Sequence, residues 1–435
     1  MKVCVQGLWH LGTVTTACLA SVGHDVSGLD LDSDSIKDLS NARSPIFEPG
    51  LNELLEKGIS CKKLKFFSLP ELATVDAEVL WVTYDTPVDD DDRADTCFVI
   101  NQIRDALKFL ADGAIILVSS QIPVGSIRDL ESYSKNHFPE KNFNFAYSPE
   151  NLRLGKAIDA FLKPDRIVIG TRNEYTREIL TRLFLPICVN IEWMSVESAE
   201  VTKHAINAFL ATSVTYANEI AIICEAVGAD AREVERGLKS EARIGVRAYV
   251  SPGGPFAGGT LARDVEFLID QSAKHNLRTP LLSAVRQSNG EHKNWVRRKL
   301  QSQFRDLSVV TVAIWGLTYK PHTDTLRRSL AVELCEWLVE YGANVQVFDP
   351  AVKNLPHEIS DKLKSCTSAL EAVAGAHVLV VGTEWPQFRQ TARELTQHVR
   401  LPFTVIDPNR FLDNELSRSN FTYLAVGTNP LRSVD

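Results

Sequence analysis

The chain lacks what would mark a metal protein, a disulfide scaffold or a nucleic-acid binder. Its eight cysteines are spread over 435 residues with no CxxC pair and no Cys/His cluster. Neither a structural zinc site nor a disulfide framework is expected, and no metal is assigned. Such cysteines read as small buried hydrophobes in a reducing compartment. Basic excess is missing as well: the formal net charge is −8, which disfavours nucleic acid, since phosphate binding rewards a basic surface. No run approaches the roughly 20 apolar residues that cross a bilayer, so no membrane is expected. The start, Met1-Lys-Val-Cys-Val-Gln-Gly7, offers neither a basic n-region nor a small-residue cleavage site, which predicts a cytoplasmic protein. Short-period repeats and low-complexity linkers are absent, and the acidic run Asp89 to Asp92 reads as a solvated loop.

What is present is ordinary globular material, 44% hydrophobic and 23% charged, in a length that makes two or three domains. The first region begins with a strand, Lys2 to Gln6, a glycine turn, a helix from about Thr13 to Val22 and a strand near Val26 to Leu31. Short apolar runs follow at Val79 to Thr83, Ala114 to Ser119 and Arg166 to Gly170 with amphipathic patterns between them. This spacing predicts an α/β fold with a doubly wound parallel sheet. From Ser195 to about Val227 apolar periodicity runs without Pro, and Gly returns only at Gly228; one long helix of about 30 residues, roughly 45 Å, is expected. A second strand-Gly-turn-helix-strand pattern starts at Val309 and passes through a helix from about Ser329 to Tyr341. Strands at Val345 to Phe348, Val378 to Gly382 and Phe403 to Ile406 complete it. The expected division is 1–194, a Rossmann domain; 195–300, a central helical segment; and 301–435, a second Rossmann-like domain.

Gly7-Leu-Trp-His-Leu-Gly12 stands where a dinucleotide fingerprint belongs, between the first strand and first helix. Its first glycine permits the tight turn and its last lets helix and strand pack closely, but the middle glycine, which admits a pyrophosphate, is Trp9. Alone, the hexapeptide is equally a plain strand-to-helix turn. Asp30, at the end of the second strand, can accept from an adenosine ribose and repels a 2′-phosphate, favouring NAD over NADP. A surface Asp at a strand end remains the alternative, with Asp32 the nearest competitor for the role.

Several further motifs resemble the UDP-glucose/GDP-mannose dehydrogenase family over about residues 1 to 412. They are Ser44-Pro-Ile-Phe-Glu-Pro-Gly-Leu51, Asp85-Thr-Pro87, Pro164-Asp-Arg-Ile-Val-Ile-Gly170, Asp349-Pro350 and Thr383-Glu-Trp-Pro386. The resemblance implies two Rossmann-like domains joined by the long helix, a homodimer formed through that helix, NAD as cofactor, a nucleotide-sugar substrate and a place in polysaccharide biosynthesis. It places Gly7, Trp9, His10, Leu11, Gly12 and Asp30 at the cofactor, with Thr83, Tyr84, Thr86, Ser120 and Gln121. It places Asn151, Leu152 and Arg153, then Arg243, Tyr249, Phe256 and Gly258, and Lys320 and Arg410, at the substrate. Arg243 is expected to reach across the dimer.

In that family a Gly-Gly pair is followed by a small residue, a nucleophilic Cys, a short spacer and an Asp. Here Gly258-Gly259 are followed by Thr260 and Leu261, Asp264 arrives one residue early, and no Cys lies between Cys224 and Cys335. Lys203 and Asn207 match the residues that steady the oxyanion, and Asp264 matches the one that handles the proton with the lysine. A plain N-cap is the alternative for Asp264. Glu150 matches one of two family glutamates, a base for hydrolytic water; Leu154 replaces the other, and Gln121 replaces a water-holding Thr. Thr260, nearest the missing Cys, reads as a substrate or backbone contact, because a hydroxyl is far less acidic than a thiol of pKa about 8.5. Arg327-Arg328-Ser329 resembles the family's Arg-Glu-Ser with the charge of its middle residue reversed. The expected reaction is a single two-electron oxidation of a CH–OH group by NAD; the alternatives are a thiol-free four-electron oxidation to a uronate and a non-catalytic homologue that binds NAD or a nucleotide sugar.

Overall fold

The computed structural model describes residues 1–86, 95–150, 152, 154–257, 259–355, 357–416 and 419–428. Pro87, the run Asp89 to Asp92, Asn151, Arg153 and Gly258 lie outside the described residues. The chain forms two compact units, Met1–Ala205 and Ile206–Asp435.

The first unit holds eight strands: β1 (Lys2–Gln6), β2 (Asp25–Leu29), β3 (Leu64–Phe67), β4 (Val79–Val82), β5 (Ile115–Val118), β6 (Asn144–Tyr147), β7 (Ile167–Thr171) and β8 (Ile191–Met194). They lie in the order β3-β2-β1-β4-β5-β6-β7-β8. The runs Val-Leu-Trp-Val of β4 and Ile-Ile-Leu-Val of β5 are buried throughout, because helices cover both faces of a parallel sheet and leave no polar side for alternation. The sheet departs from wholly parallel at one junction: β7 runs antiparallel to β6, pairing Ala146 with Thr171 and Tyr147 with Gly170. A continuous apolar run carries no mark of its direction, so periodicity alone does not reveal this.

The first helix, His10–Ser21, begins earlier than its apolar pattern suggests, since Trp9 already supplies the carbonyl that accepts from Thr13 N–H at 3.0 Å. β2 ends at Leu29, leaving Asp30 as the first residue beyond it. Both sheets reverse their winding beside the first strand of the fold, at β1/β4 in the first unit, and ligands of such sheets sit in that crevice.

The long helix spans Val196–Val227. Among the described residues it is the one helix long and apolar enough to cross a membrane, where composition had suggested none. Only part of it is buried: Val196 and Ala199 belong to the core of the first unit, Ala221 and Cys224 to that of the second. Glu200, Lys203 and His204 are buried within it, and Glu200 accepts from Gly125 and Ile127 N–H at 2.7 and 3.2 Å. Those bonds satisfy first-turn amides of the helix Ser126–His137 that nothing within the helix can reach.

The second unit carries β9 (Thr311–Trp315), β10 (Asn344–Phe348), β11 (Lys364–Ser365), β12 (Val378–Val381), β13 (Thr404–Ile406) and β14 (Thr422–Leu424), in the order β11-β10-β9-β12-β13-β14. All of its pairs are parallel.

Candidate active site

The glycine turn after β1 is built for close approach. A Cβ on Gly12 would stand 1.8 Å from the Gly7 carbonyl oxygen, and one on Gly7, at φ +92°, would lie 2.6 Å from the Tyr84 ring. Asp30 Oδ2 accepts from Leu8 N–H at 2.8 Å and its Oδ1 accepts from Asp32 N–H at 3.1 Å, so this carboxylate fixes the turn as well as ending the strand. Asp32, the competitor, caps the next helix through Asp34 N–H. Trp9 is half exposed at the N-cap of the first helix. Leu11 is buried on that helix.

Some residues expected at the cofactor are turned inward instead. Thr83 is fully buried and its hydroxyl donates to the carbonyls of Gln6 and Gly7, at 3.0 and 2.9 Å. Tyr84 packs under Gly7 and against Phe98; burial and the nearby Asp30 push its phenol up. Both hold the turn's shape. His10 Nε2 meets Glu48 Oε2 at 3.1 Å, and Glu48 also accepts from Gly155 and Ala157 N–H at 2.7 and 2.9 Å. Glu48 therefore ties three segments together, a role the Ser44–Leu51 motif flagged by type without naming its partners. Thr86 donates to the Gln121 carbonyl at 2.7 Å. Ser120 is buried with no hydrogen-bond partner for its Oγ among the described residues.

Lys203, 8% exposed, donates to the Glu150 carbonyl at 2.5 Å and to its Oε1 at 3.1 Å. The other carboxylate oxygen of Glu150 accepts from Leu152 N–H at 2.8 Å. Asn207, one turn further along the long helix, donates through Nδ2 to Asp264 Oδ2. Asp264 is fully buried and lies inside the helix Thr260–Lys274, whose N-cap is Gly259; the capping alternative is thereby excluded. Thr260 opens that helix and is exposed.

The loop leading to it is held by side-chain amides. Asn218 accepts from Gly253 N–H at 3.0 Å and donates to the Gly254 carbonyl at 3.3 Å. Asn289 does the same for both backbone groups of Phe256. His292 Nε2 donates to the Gly253 carbonyl at 2.8 Å, and Asn409 accepts from Gly254 N–H at 2.7 Å. Phe256 packs on a small cluster with Ala208, Ala211 and Val265. None of these supports was legible from the motif itself.

A cavity of about 360 Å³ opens beside this loop, within the second unit, at the C-terminal ends of β9 and β12. Gly254, Lys293, Tyr319, Lys320, Arg328 and Asn409 are part of its lining. Arg410 is not. It is buried, with Nη2 2.8 Å from Asp230 and 3.0 Å from the Gly427 carbonyl, so its charge is neutralised inside the fold and it joins the start of the helix Ala231–Ser240 to the strand ends. Arg243 and Tyr249 are exposed, Arg243 paired locally with Glu241 at 2.9 Å.

Models of three domains match the chain in sequence: the NAD binding domain of the UDP-glucose/GDP-mannose dehydrogenase family over residues 1–188, its central domain over 197–291 and its UDP binding domain over 313–414. The chain belongs to the UDP-glucose/GDP-mannose dehydrogenase family. It is 31% identical to UDP-glucose 6-dehydrogenase of Pseudomonas aeruginosa, covering 98% of this chain and 97% of that protein. A UDP-glucose 6-dehydrogenase of Bacillus subtilis is 30% identical over 98% of each. Among solved structures, a UDP-glucose dehydrogenase from Pyrobaculum islandicum superposes with a TM-score of 0.82 at 26% identity over 98% of both chains. The chain is thus an NAD-dependent dehydrogenase by family, and its glycine turn, with no room for a Cβ and a carboxylate at the end of β2, fits that dinucleotide.

No cysteine lies in the sequence between Cys224 and Cys335. Of the eight free cysteines, Cys4, Cys18, Cys224, Cys335 and Cys366 are buried. Burial pushes the thiols of Cys4, Cys18 and Cys335 up to about 12.

Proposed function

We propose that this enzyme oxidises one CH–OH group of a nucleotide sugar by a single hydride transfer and releases an aldehyde or ketone. The observation that carries the reading is that the Asn207–Asp264 contact is present, while the loop before the helix Thr260–Lys274 has no thiol. Without a nucleophile there is no thiohemiacetal, and hence no thioester from which a second hydride leaves. Gly7, Gly12 and Asp30 would hold NAD at the first turn, with Ser120 and the exposed Trp9 near it, and the cofactor would supply the hydride acceptor. Lys203 and Asn207 steady the oxygen as charge grows on it, and Asp264 takes part in removing the hydroxyl proton. Lys320 and Phe256 would receive the nucleotide sugar in the second unit.

Phe209, Ile223 and Val227 of the long helix are more than half exposed. An apolar face of this kind supports a homodimer through that helix, with the exposed Arg243 and Tyr249 reaching toward a second copy. The division at 1–194, 195–300 and 301–435, a cytoplasmic setting and a role in polysaccharide biosynthesis go with this reading.

The test is a count of NADH formed per sugar consumed, using pure protein, NAD and a panel of UDP-, GDP- and other NDP-sugars. One per sugar is expected. Two would establish a thiol-free route to the uronate, with water adding to the aldehyde and Glu150 as base. None across the panel would favour a binding homologue, the reading that Trp9 in the phosphate loop supports.

A further inference from the structure

The helix Ser126–His137 is capped from a distance. Its N-cap, Gly125, takes a left-handed backbone at φ +95° and has no side chain to offer. The cap comes instead from Glu200 on the long helix, 75 residues away: Gly125 N–H donates to one carboxylate oxygen at 2.7 Å and Ile127 N–H to the other at 3.2 Å. Such a cap joins two elements where a local one would only end a helix. Glu200 is fully buried, and a buried carboxylate is costly unless its bonds compensate. Burial holds its carboxyl above the ordinary value, with the two amide bonds acting in the opposite direction.

The same turns of the long helix are fixed at two further points. Gly170, in β7, lies so close that an added Cβ would stand 2.7 Å from both Val196 Cα and Ala199 Cβ. Arg172, just beyond that strand, donates through both Nη groups to Glu197 at 2.7 Å and through Nε to Glu131 of the helix Ser126–His137 at 3.0 Å. These two contacts hold the helix on the sheet, whereas Glu200 reaches the stretch 120–125 that leads from β5 to the capped helix. That stretch carries Ser120 and Gln121, and Thr86 pins its other end through the Gln121 carbonyl at 2.7 Å. Lys203 stands three residues beyond Glu200, on the same helix face, with its ammonium bonded to Glu150.

We propose that Glu200 is a positioning residue for the hydride transfer: it ties the stretch 120–125 to the turn of the long helix that carries Lys203, and so sets the ammonium against the cofactor side of the site. Both acceptor oxygens are needed. Glutamine keeps one acceptor and turns an amide N–H against a backbone N–H, and aspartate keeps the charge but is one methylene too short to hold both amides. A misplacement of about 1 Å costs up to about a hundredfold in rate even when the substituted residue touches no substrate. The inference rests on the nucleotide-sugar reading above and adds a residue to it.

Two measurements on the full-length protein test this with E200Q, E200D and, as control, E197Q, which removes a partner of Arg172 and leaves the Glu200 bonds in place. The first needs no substrate: competitive labelling of lysines with acetic anhydride, read at Lys203 by mass spectrometry. E200Q and E200D are both expected to raise the labelling rate of Lys203 by about threefold to tenfold, and E197Q to leave it within about twofold. The second is NADH formation from NAD and UDP-glucose. There kcat is expected to fall about tenfold to a hundredfold in E200Q and less in E200D, with the KM for UDP-glucose within about threefold, while E197Q keeps the wild-type kcat. Unchanged labelling of Lys203 in both Glu200 variants overturns the proposal, as does a rise in E200Q alone, which marks lost charge and not lost position. Equal loss of kcat in E197Q and E200Q overturns it too, because loosening the helix would then suffice. A protein that oxidises no UDP-glucose bears on the substrate reading alone, and the labelling decides. If E200Q does not fold, as judged by thermal melting, E200D against E197Q decides.

Discussion

Lys203 is bonded to Glu150 twice, through its carbonyl at 2.5 Å and its carboxylate at 3.1 Å. The ammonium is therefore oriented before any substrate arrives, and an oriented, partly dehydrated cation stabilises a developing oxyanion without further reorganisation. Replacing Lys203 with Met should lower kcat by about a hundredfold to a thousandfold. Glu150→Gln keeps the backbone acceptor and should cost about tenfold. Initial rates of NADH formation on a turnover-competent nucleotide sugar measure both, and a K203M variant within tenfold of wild type would remove Lys203 from the chemistry.

The absence of a loop thiol has a simple chemical consequence. The buried thiols of Cys4, Cys18 and Cys335, raised to about 12, are scarcely ionised at pH 8, and Cys61 and Cys97 are the exposed ones. Iodoacetamide at pH 8 should alkylate Cys61 and Cys97 while leaving turnover within about twofold. Peptide mass mapping locates the adducts. Loss of turnover in step with one adduct would show that a thiol takes part after all.

β3, β6, β8, β11 and β14, which are short or carry polar residues, were not expected. β4, β5 and β12 were legible because each is a short, wholly apolar run, and the long helix because neither Pro nor Gly interrupts it. Direction was not: the run at β7 reads the same either way, so its antiparallel pairing with β6 escaped notice. The glycines of the first turn were legible for a steric reason that the Cβ distances bear out. Partners were the hidden layer. Arg410 looked like a substrate ligand because a motif gives a residue type in order along the chain. The Asp230 that neutralises it is remote in sequence and reaches it only through the fold. Thr83 likewise faces the Gln6 and Gly7 carbonyls, a direction set by the turn rather than by its own neighbours.

Gly12 provides a steric test of the first turn. An added Cβ would meet the Gly7 carbonyl oxygen at 1.8 Å and Thr83 Oγ1 at 2.7 Å, and backbone cannot yield as a flexible side-chain tip can. Gly12→Ala should cost about 3 kcal/mol or more, at the upper end of overpacking. Gly237, in the helix Ala231–Ser240 with nothing within 4 Å of its Cβ position, serves as control: Gly237→Ala should stabilise by up to about 1 kcal/mol. Urea unfolding of the two variants separates the effects, and equal midpoints would contradict the close-packed turn.

Asp30 makes a structural bond and, under the proposed function, also contacts the cofactor; the two roles respond differently to substitution. Asp30→Ala removes the acceptor of Leu8 N–H and should raise the KM for NAD by about tenfold, with a stability loss of about 1 kcal/mol. Asp30→Asn keeps an acceptor oxygen for Leu8 while removing the charge, so it should retain stability and narrow the NAD-over-NADP preference. Steady-state kinetics with both dinucleotides decide; an unchanged preference in D30N would mean that another group excludes the 2′-phosphate.

His292 links the active-site loop to pH. Burial lowers its pKa from 6.5, outweighing the bond to the Gly253 carbonyl, which acts in the opposite direction. The unfolded chain therefore takes up this proton near pH 6.5 while the folded chain still resists it, so the unfolded state binds more protons just below that point. Stability is full above pH 6.5 and declines as the pH falls through the window beneath it. His292→Gln cannot titrate and retains an N–H donor for Gly253. Between pH 7 and 5.5 its melting temperature should fall less steeply than that of wild type, although its value at pH 7 should be lower because an amide fills the imidazole's site poorly. Parallel slopes would place the acid sensitivity elsewhere. A flatter slope with turnover retained toward pH 5.5 would show that the neutral imidazole is what keeps the Gly253 end of the loop in place.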